Sequence, residues 1–136
     1  MNPDADHPNV DYERNIASYS EADRLYEEGK FVAALKSFKA SLAADPSDGD
    51  ALHTIGSCYD ALKMPASAAA AYRQALELLP PTRHPALHFN IGNALFDLGR
   101  YQESLAEYHL APKDSSVWHE TETNIRLASE RVGSGG

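Results

Sequence analysis

Apolar residues recur at helical spacing through most of the chain. Ala34 and Phe38 stand four apart, and Leu52, Ile55 and Tyr59 follow one another at three and four, the stripe of an amphipathic helix. No stretch keeps the alternation of a half-buried strand, valine and isoleucine are sparse, and alanine is abundant, which favours helix. The periodic segments are cut at Gly29-Lys30, at 45–49, at Lys63-Met64-Pro65, at 80–83, at Gly99-Arg100 and at Pro112-Lys113-Asp114, where glycine, proline and aspartate break a helix. The pattern predicts seven helices, near 15–28, 31–44, 49–62, 65–79, 85–98, 101–111 and 116–131. Their short connections predict antiparallel neighbours. Ser47 is placed to cap the third helix with Asp50 three residues on. Pro65 suits a first turn, and Pro112 should end the sixth helix early. Residues 1–13 and 132–136, polar or glycine-rich, read as flexible tails.

The helices repeat. Ala22 and Gly56 are 34 residues apart, as are Leu25 and Tyr59, Ala34 and Ala68, Phe38 and Tyr72, and Pro46 and Pro80. The pattern returns with two extra residues, taking Gly56 to Gly92, Tyr59 to Leu95, Ala68 to Ser104, Tyr72 to Tyr108 and Ala75 to Ala111, the extra pair falling in the linker at 80–85. Small residues at 22, 56 and 92 set against small residues at 34, 68 and 104 let paired helices approach closely, with larger side chains beside them. One such unit cannot bury its apolar face alone, so the units should stack and share a core. The helix at 116–131 closes the open end, with Trp118 and Leu127 expected to face inward and Glu120, Glu122, Arg126, Glu130 and Arg131 outward.

Composition narrows what such a stack can do. The 136 residues are 43% hydrophobic and 24% charged, with 12 basic against 20 acidic side chains, net −8. A net acidic chain argues against nucleic-acid binding. Much of the acidity lies within residues 1–28, where Asp4, Asp6, Asp11, Glu13, Glu21, Asp23, Glu27 and Glu28 face only Arg14 and Arg24, favouring a basic partner. Cys58 is the single cysteine, which excludes an intrachain disulfide and a four-thiolate zinc site. It reads as a small buried filler before a reactive thiol. No apolar run approaches the ~20 residues of a membrane span, and the N-terminus lacks a secretory pattern, so a cytoplasmic protein without membrane insertion is expected. His84 and His88 have a metal-ligand spacing, but Pro85 puts His84 at or before the helix start and no third ligand is near; packing or capping is favoured. No phosphate loop, nucleophile elbow or carboxylate pair is present. The expectation is no catalytic residue, no metal and no cofactor.

The pattern Leu52-x2-Ile55-Gly56-x2-Tyr59, then Ala68-x3-Tyr72, Ala75 and Pro80, resembles the tetratricopeptide repeat. His88-x2-Ile91-Gly92-x2-Leu95 with Ser104-x3-Tyr108 and Ala111 repeats it, and Ala22-x2-Leu25 with Ala34-x3-Phe38 and Pro46 is a weaker third copy. The resemblance implies an all-α, right-handed superhelical solenoid over 14–131, with repeats at about 15–48, 49–82 and 85–116 and a capping helix at 116–131. It also implies a concave groove lined by the first helix of each repeat, which places there Tyr19, Asp23 and Tyr26, then His53, Ser57 and Asp60, then Phe89, Asn90, Asn93 and Phe96, with Asn124 extending it on the cap. The competing reading has Tyr26 and Phe96 packing between units and Asn90 and Asn93 holding neighbouring helices. Co-chaperone members grip a C-terminal carboxylate with Lys, Asn and Arg; the matching positions here are Tyr19, Asp23, Thr54, Ala86 and Asn90, so that tail should not bind. The implied function is a non-catalytic adaptor that grips a peptide or an amphipathic or basic helix of another protein. Two alternatives stand beside it. One is an export chaperone similar to the class II type III secretion chaperones, with Met1–Arg14 as its acidic arm and Gly56-Ser57-Cys58 echoing a local pattern. The other is a self-associating structural protein, such as a homodimer.

Overall fold

The computed structural model describes residues 21–134, so Tyr19, the expected tail at 1–13 and the last two residues of the expected tail at 132–136 lie outside the described residues; that C-terminal expectation is corrected at Val132 and Gly133, which continue the last helix. Residues 21–27 form α1, followed by α2 (Phe31–Ala44), α3 (Gly49–Ala61), α4 (Pro65–Leu78), a 3-10 turn (Pro81–Arg83), α5 (His84–Asp97), α6 (Tyr101–Tyr108) and α7 (Trp118–Gly133). Among the described residues there is no strand. From α2 onward each helix packs on its neighbours in the chain, and α7 also touches α5. The result is an α-solenoid whose core is spread along the stack. Ala22, Ala34, Phe38, Ile55, Cys58 and Ala71 form one buried cluster, and a second is built on Leu52, Tyr72, Leu87, Ile91 and Leu95.

The first helix of each repeat ends in the same way. Gly29, Lys63 and Gly99 have φ of 78°, 61° and 77°. Their N–H groups donate to Tyr26, Asp60 and Phe96, and the next residues, Lys30, Met64 and Arg100, donate to Leu25, Tyr59 and Leu95. This is the Schellman pair of bonds, which turns the chain back sharply and needs a left-handed residue. Lys63 occupies a position that glycine fills in the other two units.

Close helix approach uses small-on-small contact together with room left for the larger rings beside it. A Cβ on Gly56 would sit 2.5 Å from Cε1 of Tyr72, and one on Gly92 would sit 2.5 Å from Cε1 of Tyr108. The glycines make room for the two tyrosine rings, both about 1% exposed. Ser104 lies buried beside Gly92 and donates to its carbonyl at 2.8 Å.

Three local expectations are corrected. Asp48, not Ser47, caps α3: its Oδ1 accepts the Ala51 N–H at 3.0 Å, while the Ser47 hydroxyl donates to Asp45. Helix α6 stops at Tyr108, short of the expected 111, and the chain turns through Leu110 and Ala111 before Pro112. On α7 the inward positions are Thr121 and Ala128, seven apart and so on one helical face. Leu127 precedes Ala128 and is rotated about 100° around the helix from it. It is therefore turned off that face and is 44% exposed, while Trp118 is half-buried.

Candidate functional site

The polar side chains along α1, α3, α5 and α7 are joined from helix to helix. Between α1 and α3, burial first, then the neighbouring Cys58 and Asp60, raise the Tyr26 phenol pKa. The Ser57 hydroxyl lies close enough to that phenol to lower the value in part. Between α3 and α5, His53 Nε2 lies 3.3 Å from Asn90 Nδ2, and His53 Nδ1 lies 3.4 Å from the Arg83 guanidinium. Arg83 also pairs with Asp50 at 2.8 Å. Burial, with Arg83 second, pushes the His53 pKa below its ordinary value. Between α5 and α7, Asn93 Oδ1 accepts from Tyr108 Oη at 2.5 Å and from Asn124 Nδ2 at 2.8 Å.

Asp60 is half-buried and accepts a 2.6 Å bond from Tyr72 Oη. Burial raises its carboxyl pKa, the Tyr72 bond pulls it back, and the Asp97 carboxylate pushes it up again. Phe89 packs at 6.2 Å from the Tyr108 ring, and Phe96 stands edge-on to Tyr101 at 5.1 Å. Arg131 lies 5.7 Å from the Phe96 centroid, within cation–π range. Asp23 is exposed on α1.

Of the groove candidates, His53, Ser57, Asp60, Asn90, Asn93 and Asn124 therefore meet in inter-helix contacts, as does Tyr26. The helix-holding reading of Asn90 and Asn93 describes what these side chains do in this structure. It leaves part of each amide unused: both bonds to Asn93 fall on Oδ1, and Asn124 contributes only Nδ2.

Where α5 meets α7 these groups border a pocket of about 320 Å³, lined by Asn93, Phe96, Asp97, Tyr108, Asn124 and Leu127. Sequence reasoning misses Asp97 and Leu127 as site residues. Asp97 follows Phe96 directly, and adjacency to a groove candidate is the one signal that points to it. Leu127 reads as core in the sequence, and only the phase of α7 shows that it faces the pocket.

The other chemistry-bearing residues are engaged elsewhere. His84 Nε2 lies 2.9 Å from the Leu79 carbonyl, and His88 Nδ1 lies 2.8 Å from Glu107, which also pairs with Arg73. His88 is thus a part-buried polar contact. Cys58 is fully buried, and burial pushes its thiol up to about 11, where the nucleophilic thiolate is scarce. Among the described residues no cluster of three potential metal ligands occurs, and no helix is long and apolar enough to cross a membrane.

Comparison with known proteins fits this geometry. The family described as tetratricopeptide repeat matches residues 19–82 and 65–116. Among curated proteins no relative matches the sequence. Solved structures do. The Yersinia enterocolitica type III secretion chaperone SycD, in complex with a peptide of the translocator YopD, is 20% identical with a TM-score of 0.78, over 88% of this chain and 95% of that one. The first TPR of Spaghetti (RPAP3), bound to the HSP90 peptide SRMEEVD, is 18% identical with a TM-score of 0.77, over 89% and 94%. MamA is 21% identical with a TM-score of 0.80, over 89% of this chain and 65% of its own. At these identities the likeness is one of fold.

Proposed function

The chain belongs to the tetratricopeptide repeat family, and from that membership we propose that it is a non-catalytic interaction module of the cytoplasm that holds a segment of another protein across the α1–α3–α5 face. The observation that carries this reading is the pocket at the α5–α7 junction. It combines the aromatic Phe96 and the exposed Leu127 with two amides, each with one polar atom unused. Apolar area supplies affinity and free amide groups pair with a ligand backbone. Titrating the isotope-labelled protein with fractions of its native cell extract, read by amide chemical shifts, tests it. Shifts should cluster on Phe89–Asp97 and Asn124. Shifts confined to α2, α4 and α6 would place binding on the other side of the stack and refute the reading.

Export chaperoning is the second reading, supported by the fold likeness to SycD over nearly that protein's full length. Co-purification with a translocator protein from the native cell would favour it over a general adaptor. Light scattering over a range of concentrations separates both from self-association.

A further inference from the structure

The α2–α4 side of the first two repeats is charged differently from the rest of the chain. Residues 29–44 and 61–76 carry Lys30, Lys36, Lys39, Lys63 and Arg73 and not one carboxylate, in a chain of net charge −8. Two recesses lie on this side. One, of about 270 Å³, runs between α2 and α4 over Leu52, Ile55 and Tyr59 of α3, with Lys39 and Leu42 on its rim. The other, of about 510 Å³, lies at the start of α2 and is bordered by Val32, Lys36 and Leu62. Val32, Lys36 and Lys39 follow one another at four and three, and Tyr59 and Leu62 are three apart, so each row keeps to one helical face and the recesses continue one another along α2. The charged residues that line them are Lys30, Lys36 and Lys39, and no carboxylate does. Lys30 pairs with Glu28, and Lys39 lies 5.3 Å from the centre of the Tyr59 ring. Lys36 makes no hydrogen bond or ion pair with any described residue, and Val32 beside it is 69% exposed. An apolar floor with ammonium groups along its rim suits a segment that alternates apolar and acidic residues.

We propose that the chain's own segment Val10–Glu13 docks in this groove, with Val10 and Tyr12 on the apolar floor and Asp11 and Glu13 paired with Lys36 and Lys39. The segment lies outside the described residues, and its sequence supplies the match. Val10-Asp11-Tyr12-Glu13 alternates apolar and acidic, so in extended form the two apolar side chains share one face and the two carboxylates the other. Within residues 1–13, Asp4, Asp6, Asp11 and Glu13 stand without a lysine or arginine. Reach is no obstacle. The eleven residues from Val10 to Glu21 span about 16 Å as helix and up to about 36 Å extended, whereas a helix such as α2 is about 10–12 Å across. Ala22 shares a buried cluster with Ile55 and Ala71, both of which line the groove, so the chain enters α1 beside it. The tether selects this occupant over an acidic segment of another protein, because a tethered segment is present at an effective concentration on the order of millimolar. A basic segment would bring like charge against the lysines. The docked segment covers the side of the stack away from the α1–α3–α5 face and holds it closed to other acidic segments until displaced.

A spin label on the full, isotope-labelled chain tests this. Asn9→Cys carries the label, and Cys58, fully buried, does not compete for it. The amide signals of Lys36–Leu42 and Ser67–Gln74 should lose half their intensity or more, and should recover as salt is added. Lys36→Glu with Lys39→Glu should abolish the loss. Adding Asp11→Lys with Glu13→Lys to that variant should restore it, which a merely apolar contact would not do. Lys113→Glu, at an exposed residue after α6, should change nothing. Circular dichroism should be unaltered in each variant, since Lys36 and Lys39 are exposed. No loss on α2 and α4, or loss confined to Phe89–Asp97 and Asn124, would overturn the proposal. Loss that persists in Lys36→Glu with Lys39→Glu would overturn the charge pairing and the proposal with it. Mixing spin-labelled protein of natural isotope content with isotope-labelled protein free of spin label reads contacts between copies. Loss in that mixture equal to the loss in the singly labelled chain would assign the groove to a second copy's segment and overturn docking within the chain.

Discussion

Gly92→Ala should destabilise the protein, and the same substitution should stabilise it once Tyr108 is replaced by leucine. Alanine in a helix interior is favoured over glycine by about 1 kcal/mol. Here the added Cβ would lie 2.5, 2.6 and 3.1 Å from three atoms of the Tyr108 ring, well inside ordinary contact. The ring has little freedom to retreat. Its hydroxyl is held by Asn93, it packs against Phe89, and it is almost wholly buried. Overpacking of this kind costs about 1–3 kcal/mol. With a rigid ring the upper part of that range applies, for a net loss of roughly 2 kcal/mol after the propensity gain. In the Tyr108→Leu background the obstacle is gone and the propensity gain of about 1 kcal/mol remains. The double-mutant cycle should therefore give a coupling of about 3 kcal/mol. Urea unfolding followed by far-UV circular dichroism, and separately by the fluorescence of the single Trp118, measures all four corners. Gly56→Ala with Tyr72 should repeat the sign change one repeat earlier. A coupling within about 0.5 kcal/mol of zero would refute the account of why these positions are glycine.

Lys63→Gly should stabilise by about 0.5–1 kcal/mol, because relief of a left-handed residue, ~1–2 kcal/mol, exceeds the entropy glycine adds to the unfolded chain; thermal melting reads it. Ser41→Ala should raise stability by about 1 kcal/mol in a urea titration, since the Ser41 hydroxyl is buried with no partner. The depressed His53 pKa means that the unfolded chain takes up this proton first, so the His53 contribution is lost as pH falls below the ordinary value of 6.5. Asp60, raised by burial, acts oppositely: the folded chain binds its proton first and gains stability as pH falls toward 3.8. Stability measured against pH should flatten below 6.5 in His53→Gln. The peptide SRMEEVD, bound by the first TPR of Spaghetti, should show no binding in calorimetry, because its acidic residues would meet like charge at Asp60 and Asp97.

The fold was legible because its determinants repeat. Each of Gly56, Tyr72, Gly92 and Tyr108 is weak evidence alone, but a shared register makes them one signal. Burial follows that register closely: residues 31–40 and 101–110 show the same sequence of buried, half-buried and exposed positions. What escaped were features set by rotation and by pairing. Leu127 is apolar in sequence and exposed in structure because α7 presents Thr121 and Ala128 to its neighbour instead. Ser47 and Asp48 are both good caps, and only backbone geometry decides between them.

The same distinction explains why the site lies where it does. Matched positions of the repeat carry Ser57 and Asn93, Asp60 and Phe96, Ala61 and Asp97, so one backbone presents different chemistry at each step along the face. In the second repeat the tyrosine hydroxyl is satisfied by Asp60, which draws that carboxylate back against α4. In the third repeat Phe96 offers no acceptor there, and the equivalent hydroxyl turns to Asn93, which in turn holds α7 through Asn124. Asp97, matched to Ala61, has no partner among the described residues and lines the pocket between α5 and the cap. A repeat whose Phe96 became aspartate should recapture the Tyr108 hydroxyl, release Asn93 from it, and loosen α7. Phe96→Asp is thus expected to weaken the Asn93–Asn124 contact, with faster amide exchange in α7 than in α3. Unchanged protection of α7 would show that the cap is held by Thr121 and Ala128 packing alone.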